Sequence, residues 1–440
     1  MKRLFALLLS LCLLLSLCLS FSSCGREKAL LTYEKDGSKL TFLSNYYTLF
    51  AARAKGSLAA SGVTIGGYDA TKDSFWDYTD KFDGETVETL GEYQAKQILE
   101  SCKFYLAAHA LFTERGLSLS ESLLEELEST LDELVEADAG GSKAKFNSIL
   151  SAYGVNRDQL LEVYRMEEEI DALKENLYGK DASLVGKTLK EEYLAEHYLH
   201  FDLVRIDPFE YCYETDQNGD EIYYDSANNR IAYDKVNGVK VVEDDGSLTY
   251  RLPDETGAAT DRYAYDKENG LRALALDSTG KTYAAAPLTG EKLEAFSERS
   301  AEFANVRTKE EFDRIYAEEI ALLKEDEQKS GYAAEVYLPT GSSFSSVLDE
   351  IVELLSGMEA GEVASLDDEN GNVYLFLKKD PTPGAYEDEN FATWFSGFSE
   401  GLVNSLLEAA CKALFPYISV NEEVLKNLPS LKEVEPDYYY

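Results

Sequence analysis

Near residue 208 the rhythm of the sequence changes, and neither an all-helical bundle nor a single sheet can accommodate the change. From about Pro208 to Ala285, nine tyrosines sit among Asp, Asn and Gly. Turn signals recur at Asn218-Gly219, Asn237-Gly238, Asp245-Gly246, Asn269-Gly270 and Thr279-Gly280. Between them lie alternating runs such as "GVKVVED", "SLTYRL" and "LRALALD". Asn-Gly or Asp-Gly flanked by alternation is a strong hairpin signal, because the tight turn needs positive φ at both central residues. Residues 208–284 are therefore predicted to form a β-meander of several hairpins, set between parts of helical or mixed periodicity.

Upstream, "ALLTYEKDGSKLTFLSNYYTLFAARAKG" reads as strand, turn at Asp36-Gly37, strand, then helix. Helical period follows through "TVETLGEYQAKQILESCKFYLAAHALFTERG", which Gly116 suits as a C-terminal cap. The next helix carries an apolar stripe of Leu123, Leu124, Leu127, Leu131, Leu134 and Val135, and Gly140 and Gly141 end it. Two more helices close at Gly154 and start at Asn156. A further helix, "TLKEEYLAEHYL", runs into the strand-like "HFDLVRI". Downstream, helical periodicity returns at "TGEKLEAFSERSAEFANVRTKEEFDRIYAEEIALLKEDEQKSG", followed by "YAAEVYLPTGSS", a helix "SVLDEIVELLSGM" and two strands around Asn370-Gly371. "PTPGAYEDE" reads as a linker, and Phe391 to Phe415 as the closing helix.

Charge excludes whole classes of partner. Acidic residues outnumber basic ones by 82 to 42, a net charge of −40, so a nucleic-acid partner is not expected. The N-terminus reads as a signal: "MKR" is a short basic region and "LFALLLSLCLLLSLCL" an apolar run of the right length. "SFSSCG" then places small residues before Cys24, as in a bacterial lipobox whose cysteine becomes the lipidated N-terminus; Phe21 stands where Leu is usual. An ordinary signal peptide or an uncut anchor would use similar letters. The expected location is extracytoplasmic, held to the cell membrane through Cys24. Cys102, Cys212 and Cys411 remain, widely spaced and odd in number, which suits buried small apolar residues better than a disulfide framework or a zinc site.

The order of these parts resembles the foldase lipoproteins of the PrsA type, related to the periplasmic chaperone SurA and the trigger-factor-like chaperones. The segments that carry it are Cys24 before a strand, "DG" and helix; "FNSILSAYGVNRDQLLEVYRMEEEIDALKENLYG"; the "TLKEEYLAEHY" helix entering a strand; and the final helix with "PYISVNEEVLKNL". The resemblance implies an α+β chain. Its SurA-like chaperone lobe, mostly helical, would be formed by residues 24–199 and a returning C-terminal segment, 381–440, after a signal peptide at 1–23. A degenerate parvulin-like α/β domain would occupy 200–207 and 285–380 and carry the hairpin-rich insertion 208–284. "HFDLVRI" is similar to the parvulin first strand, "RTKEEFDRIYAEE" to a parvulin helix and "GMEAGEVASLDDENGNVYLFLKK" to its closing stretch.

Active parvulins keep two histidines facing each other, on the first and last strands. Placing their motif on "LVRI" puts Leu203 at the first position and Tyr374 near the second, and no histidine follows His200 in the sequence. The resemblance therefore implies weak prolyl isomerase activity at most, because the isomerisation barrier of ~18–20 kcal/mol needs a shaped pocket to lower it.

The chain holds three histidines. His109, among Leu106, Ala107, Ala110 and Leu111, reads as a satisfied core residue. His197 and His200, three apart beside Glu191, Glu192 and Glu196, have metal-ligand spacing only if one helix carries both; a surface or interface position suits them better. Asp216, Asn218 and Asp220 match the first, third and fifth ligands of a calcium loop, but Glu221 and Ala227 break the pattern and a hairpin tip explains the same letters. No cofactor is expected. What the resemblance implies is a chaperone whose partners are unfolded or partly folded secreted proteins. The competing expectation is a surface-anchored adhesion or binding lipoprotein that uses the Tyr-rich insertion to bind glycan or peptide.

Overall fold

The computed structural model describes residues 28–82, 84–225, 230–323, 332–341 and 346–440. The expected signal peptide and Cys24 lie outside the described residues. The chain divides into two compact units, Met1–Val185 with Ser399–Tyr440, and Gly186–Phe398.

The first unit opens with a hairpin, β1 (Ala29–Lys35) and β2 (Ser38–Leu43). Asp36 and Gly37 turn it with φ of 54° and 85°, as an Asp-Gly pair allows. Five helices follow: α1 (Ser44–Ala60), α2 (Leu90–Glu114), α3 (Glu121–Ala139), α4 (Lys143–Leu150) and α5 (Arg157–Tyr178). Their starts are chemically specified. The Thr89 hydroxyl accepts from the Glu92 amide at 3.1 Å while the Glu92 carboxylate accepts from the Thr89 amide at 2.9 Å. Asn156 and Gln159 repeat this reciprocal cap at the head of α5. Each such cap is worth about 1 kcal/mol. Along α3 the residues that reach the core are Leu127, Leu131, Val135 and Ala139, while Leu123, Leu124 and Leu134 are half-buried.

The second unit begins with α6 (Lys187–His197), which passes directly into β3 (Tyr198–Ile206). Helix and strand thus lie together in the second unit. After the insertion, whose longest strands are β4 (Val239–Val242), β5 (Leu248–Pro253) and β6 (Ala259–Tyr263), come α7 (Glu291–Phe303), α8 (Lys309–Leu323), β7 (Tyr332–Pro339), α9 (Ser346–Ser356), β8 (Val363–Asp367) and β9 (Val373–Lys379). An antiparallel sheet of four strands forms in the order β7-β3-β9-β8. Because side chains alternate along a strand, β3 and β9 feed two cores. Val204, Leu375 and Leu377 pack on Phe303, Phe312 and Ile315 of α7 and α8. Leu199, Phe201 and Phe376 pack on Ile351 and Leu355 of α9.

The insertion is a chain of nested hairpins. Its ends are pinned where Phe209–Tyr211 pairs with Ala285–Pro287, and β4, β5 and β6 form an antiparallel sheet of three strands within it. An internal repeat emerges that hydrophobic alternation alone did not disclose. Tyr233-Asp234-Lys235-Val236-Asn237-Gly238 and Tyr265-Asp266-Lys267-Glu268-Asn269-Gly270 fold alike. In each, the aspartate carboxylate accepts the Asn amide, at 2.9 and 3.0 Å, and the glycine amide donates to the aspartate carbonyl, at 3.1 and 2.9 Å. A Cβ on either glycine would meet that carbonyl oxygen at 2.6 Å.

The chain rejoins the first unit from Ser399 along α10 (Phe398–Lys412). Residues 391–397, expected above to open this helix, lie instead in short turns; Thr393, Ser396 and Gly397 are weak helix formers. Leu407, Cys411 and Leu414 enter the core containing Leu106, Phe146 and Leu160. A strand the sequence did not suggest, β10 (Ile418–Val420), pairs with β1 in the register Leu31↔Val420 and Tyr33↔Ile418. Both ends of the described chain thus share one sheet and one core. Cys102 and Cys411 are buried free thiols, whereas Cys212, expected to be buried as well, is only half-buried in the thin insertion. No described helix is long and apolar enough to cross a membrane.

Candidate functional site

Leu203 and Tyr374 lie on adjacent strands. Leu203 pairs with Phe376 and Tyr374 with Arg205, so the two are diagonal neighbours on the face that packs against α9. The Tyr374 hydroxyl donates to Asp368 Oδ2 at 3.2 Å, and burial with the nearby Asp368 charge pushes its pKa up. A neutral phenol and a leucine at these two positions provide no acid/base couple near neutral pH.

His200 and His197 part company. His197 ends α6 and lies against Tyr193, ring centroids 4.3 Å apart. His200 points the other way, into a polar cluster at the end of the sheet. Only 1% of it is exposed, contrary to the surface position expected. Its ring stacks on Tyr337 at 4.3 Å and 6°. Nδ1 lies 2.6 Å from the Asp380 carbonyl and Nε2 lies 2.8 Å from Glu335 Oε2. Lys379 contacts the Glu335 carboxylate and both Asp202 oxygens, the latter at 3.3 Å. Burial raises the Glu335 pKa, but the Lys379 hydrogen bond and the His200 charge outweigh it and hold the carboxyl below its usual range. Glu335 reaches His200 through a β-bulge. The β7–β3 register shifts between Ala333 and Val336, and Glu335 takes φ 53° while its amide donates to Asp202 Oδ1 at 2.8 Å. Glu335, Lys379 and Asp202 carried no local signal, because His200 lies 135 residues from Glu335. With its ring sealed from solvent, His200 helps this cluster tie three strands together.

The other sequence candidates resolve into structure. His109 is a half-buried ion-pair partner, not a core residue: its Nδ1 lies 2.5 Å from Glu169 Oε2. Asp216 accepts the Asn218 and Asp220 amides and the Tyr265 hydroxyl, and Asp220 pairs with Arg262. That is a hairpin tip whose acceptors are taken by protein donors. Among the described residues no His, Cys, Asp and Glu group is arranged to hold a metal ion. The insertion tyrosines largely face one another: Tyr233 stacks on Tyr265 at 6.1 Å, and Arg251 lies 3.7 Å over Tyr263. They fill the module where aliphatic side chains are few.

The concave apolar surface belongs to the first unit. A groove of about 400 Å³ runs beside the first turns of α2. Tyr47, Trp76 and Leu99 line one side, and Leu425, Leu428 and Leu431 the other. Its charged rim is internally paired: Lys432 with Asp77 at 2.5 Å, and Lys96 with Glu88 at 2.5 Å. The volume falls within the range of ordinary ligand clefts, about 300–1,000 Å³.

No protein-family model matches this chain, and no curated protein matches it. Among solved structures it is similar to the foldase protein PrsA from Streptococcus pneumoniae str. Canada MDR_19A, at 9% identity and a TM-score of 0.19, over 83% of this chain and 96% of that one. At that TM-score, the fold rests on the chain's own elements: helices and sheets mixed in two units, α+β in class.

Proposed function

We propose that this chain is a lipid-anchored, extracytoplasmic chaperone that holds unfolded secreted proteins by reversible burial, without covalent chemistry and without efficient prolyl isomerase activity. The observation that carries the reading is the apolar groove in a body closed by both ends of the described chain, with Trp76, Leu99 and Leu428 in its walls. Apolar burial is worth about 25 cal/mol per Å². A groove of this size therefore offers weak, releasable binding that needs no nucleotide. The net charge of −40 favours basic clients and keeps a loaded complex soluble. The absence of a histidine at Leu203 and Tyr374 argues against turnover in the sheet unit. The adhesion reading has less support, because the insertion tyrosines are engaged with one another.

The test is suppression of aggregation of a denatured secreted protein. Wild type and a chain lacking 208–284 are expected to suppress it, and Leu99→Glu with Leu428→Glu to lose suppression while staying folded by circular dichroism. Full suppression by the double variant would remove the groove from the mechanism. Glycan or peptide binding that disappears with the deletion would favour adhesion. A proline-peptide isomerisation assay is expected to show no acceleration.

A further inference from the structure

One wall of the groove continues into a strap, residues 429–440, which turns at 430–434, where the Glu433 and Val434 amides donate to the Ser430 carbonyl at 2.9 and 3.2 Å, and then runs on along α1. Lys55 Nζ donates to the carbonyls of Leu431 and Val434, both at 2.9 Å. The Asp437 amide donates to the Ala52 carbonyl at 2.9 Å, and Arg53 Nε to the Tyr440 carbonyl at 2.5 Å. The backbone lies so close to α1 that a Cβ on Gly56 would sit 1.7 Å from the Asp437 carbonyl oxygen. Side chains add to the hold: Leu431 and Val434 are buried, Lys432 pairs with Asp77, the Tyr440 ring meets Phe146 and Tyr153 at 5.7 and 5.9 Å, and its hydroxyl donates to Asp138. Asp437 is 4% exposed, yet its Oδ2 has no hydrogen-bond partner, a penalty that weakens the strap's hold.

We propose that this face of α1 is a binding track for polypeptide main chain, occupied here by the chain's own residues 429–440, and that an unfolded client segment displaces them. Lys55, the Ala52 carbonyl and the bare backbone at Gly56 meet main-chain carbonyls and amides, which every polypeptide carries, and the Phe146–Tyr153 pocket adds a preference for an aromatic ring. Only the client clause rests on the chaperone reading; the track is a property of α1 and its pocket.

The probe is a fluorescent peptide of residues 429–440, titrated into the full-length chain and into a chain ending at Leu428. The shortened chain is expected to bind it saturably and the full-length chain at least tenfold more weakly. Adding Gly56→Ala or Lys55→Met to the shortened chain is expected to weaken binding at least tenfold. A folded shortened chain that does not bind the peptide overturns the track. A reduced, alkylated, basic secreted protein is expected to compete for it; peptide binding without competition overturns displacement by clients. If the shortened chain does not fold, hydrogen exchange at the Asp437 amide of the full-length protein decides. The exchange is expected to quicken when the unfolded protein is added, and an unchanged rate overturns the proposal. Loss of aggregation suppression in wild type would count against the chaperone reading alone, since peptide binding is read separately.

Discussion

His200 Nε2 lies 2.8 Å from Oε2 of Glu335, the one residue of β7 with a positive φ, 53°. A non-glycine residue pays about 1–2 kcal/mol for that conformation. The bulge is retained because it aims the carboxylate at both His200 and Lys379. His200→Ala would open a cavity beside Tyr337 and leave the Asp380 carbonyl without its ring partner. The expected loss is about 2–3 kcal/mol, read as a lower urea midpoint at unchanged slope. Glu335→Gly is expected to lose less, because glycine relieves the backbone strain as the ion pair goes. Equal losses in the two variants would show that strain at 335 is not part of the balance.

His109 and Glu169 join α2 to α5 and carry a pH dependence of definite sign. The hydrogen bond to Glu169 raises the His109 pKa against the opposing effect of burial. A histidine whose pKa is raised by folding stabilises fully below its unfolded value of about 6.5, and the contribution fades as pH rises through the folded value. Wild type is therefore expected to lose stability between pH 6 and 8 relative to His109→Gln. Denaturation midpoints for the two proteins across that range provide the check, and curves that run parallel would rule the linkage out.

Local chemistry made part of this fold legible. The Thr89 and Asn156 caps, the Asp36-Gly37 turn and the left-handed Gly140 each act within a few residues, so their letters announce them. The same holds for the change of period at 208. What stayed hidden depends on partners far along the chain. Nothing in "YAAEVYLP" marks the bulge that delivers Glu335 to a histidine on another strand. "ISV" is too short to advertise a strand, and only β1 makes it one. The groove is a product of packing: Trp76 and Leu428 look like any core residues until the tail crosses α1.

The insertion's two Tyr-Asp-Lys-X-Asn-Gly loops should respond alike to the same change. Gly238 and Gly270 each face their aspartate carbonyl where a Cβ would sit 2.6 Å away. Gly238→Ala and Gly270→Ala are each expected to destabilise the insertion by about 1–3 kcal/mol, the usual range for overpacking. Limited proteolysis followed by mass spectrometry would localise new cleavage to 208–288 and leave the first unit intact. Cleavage spreading into α1–α5 would mean that the two units do not unfold independently.

The proposed attachment to the membrane would depend on one sulfur, that of Cys24 in "SFSSCG", which follows an apolar run. A single acyl chain gives only marginal, reversible membrane binding, so a stable anchor at Cys24 needs more than one chain. Cys24→Ala is expected to move the protein from the membrane fraction to the medium or the periplasm and to abolish a lipid mass on the N-terminal peptide. Fractionation with intact-mass measurement decides it. An unmodified N-terminus in wild type, with the protein already free, would replace the anchor by an ordinary cleaved signal. The groove would then act on clients in solution and not at the membrane surface.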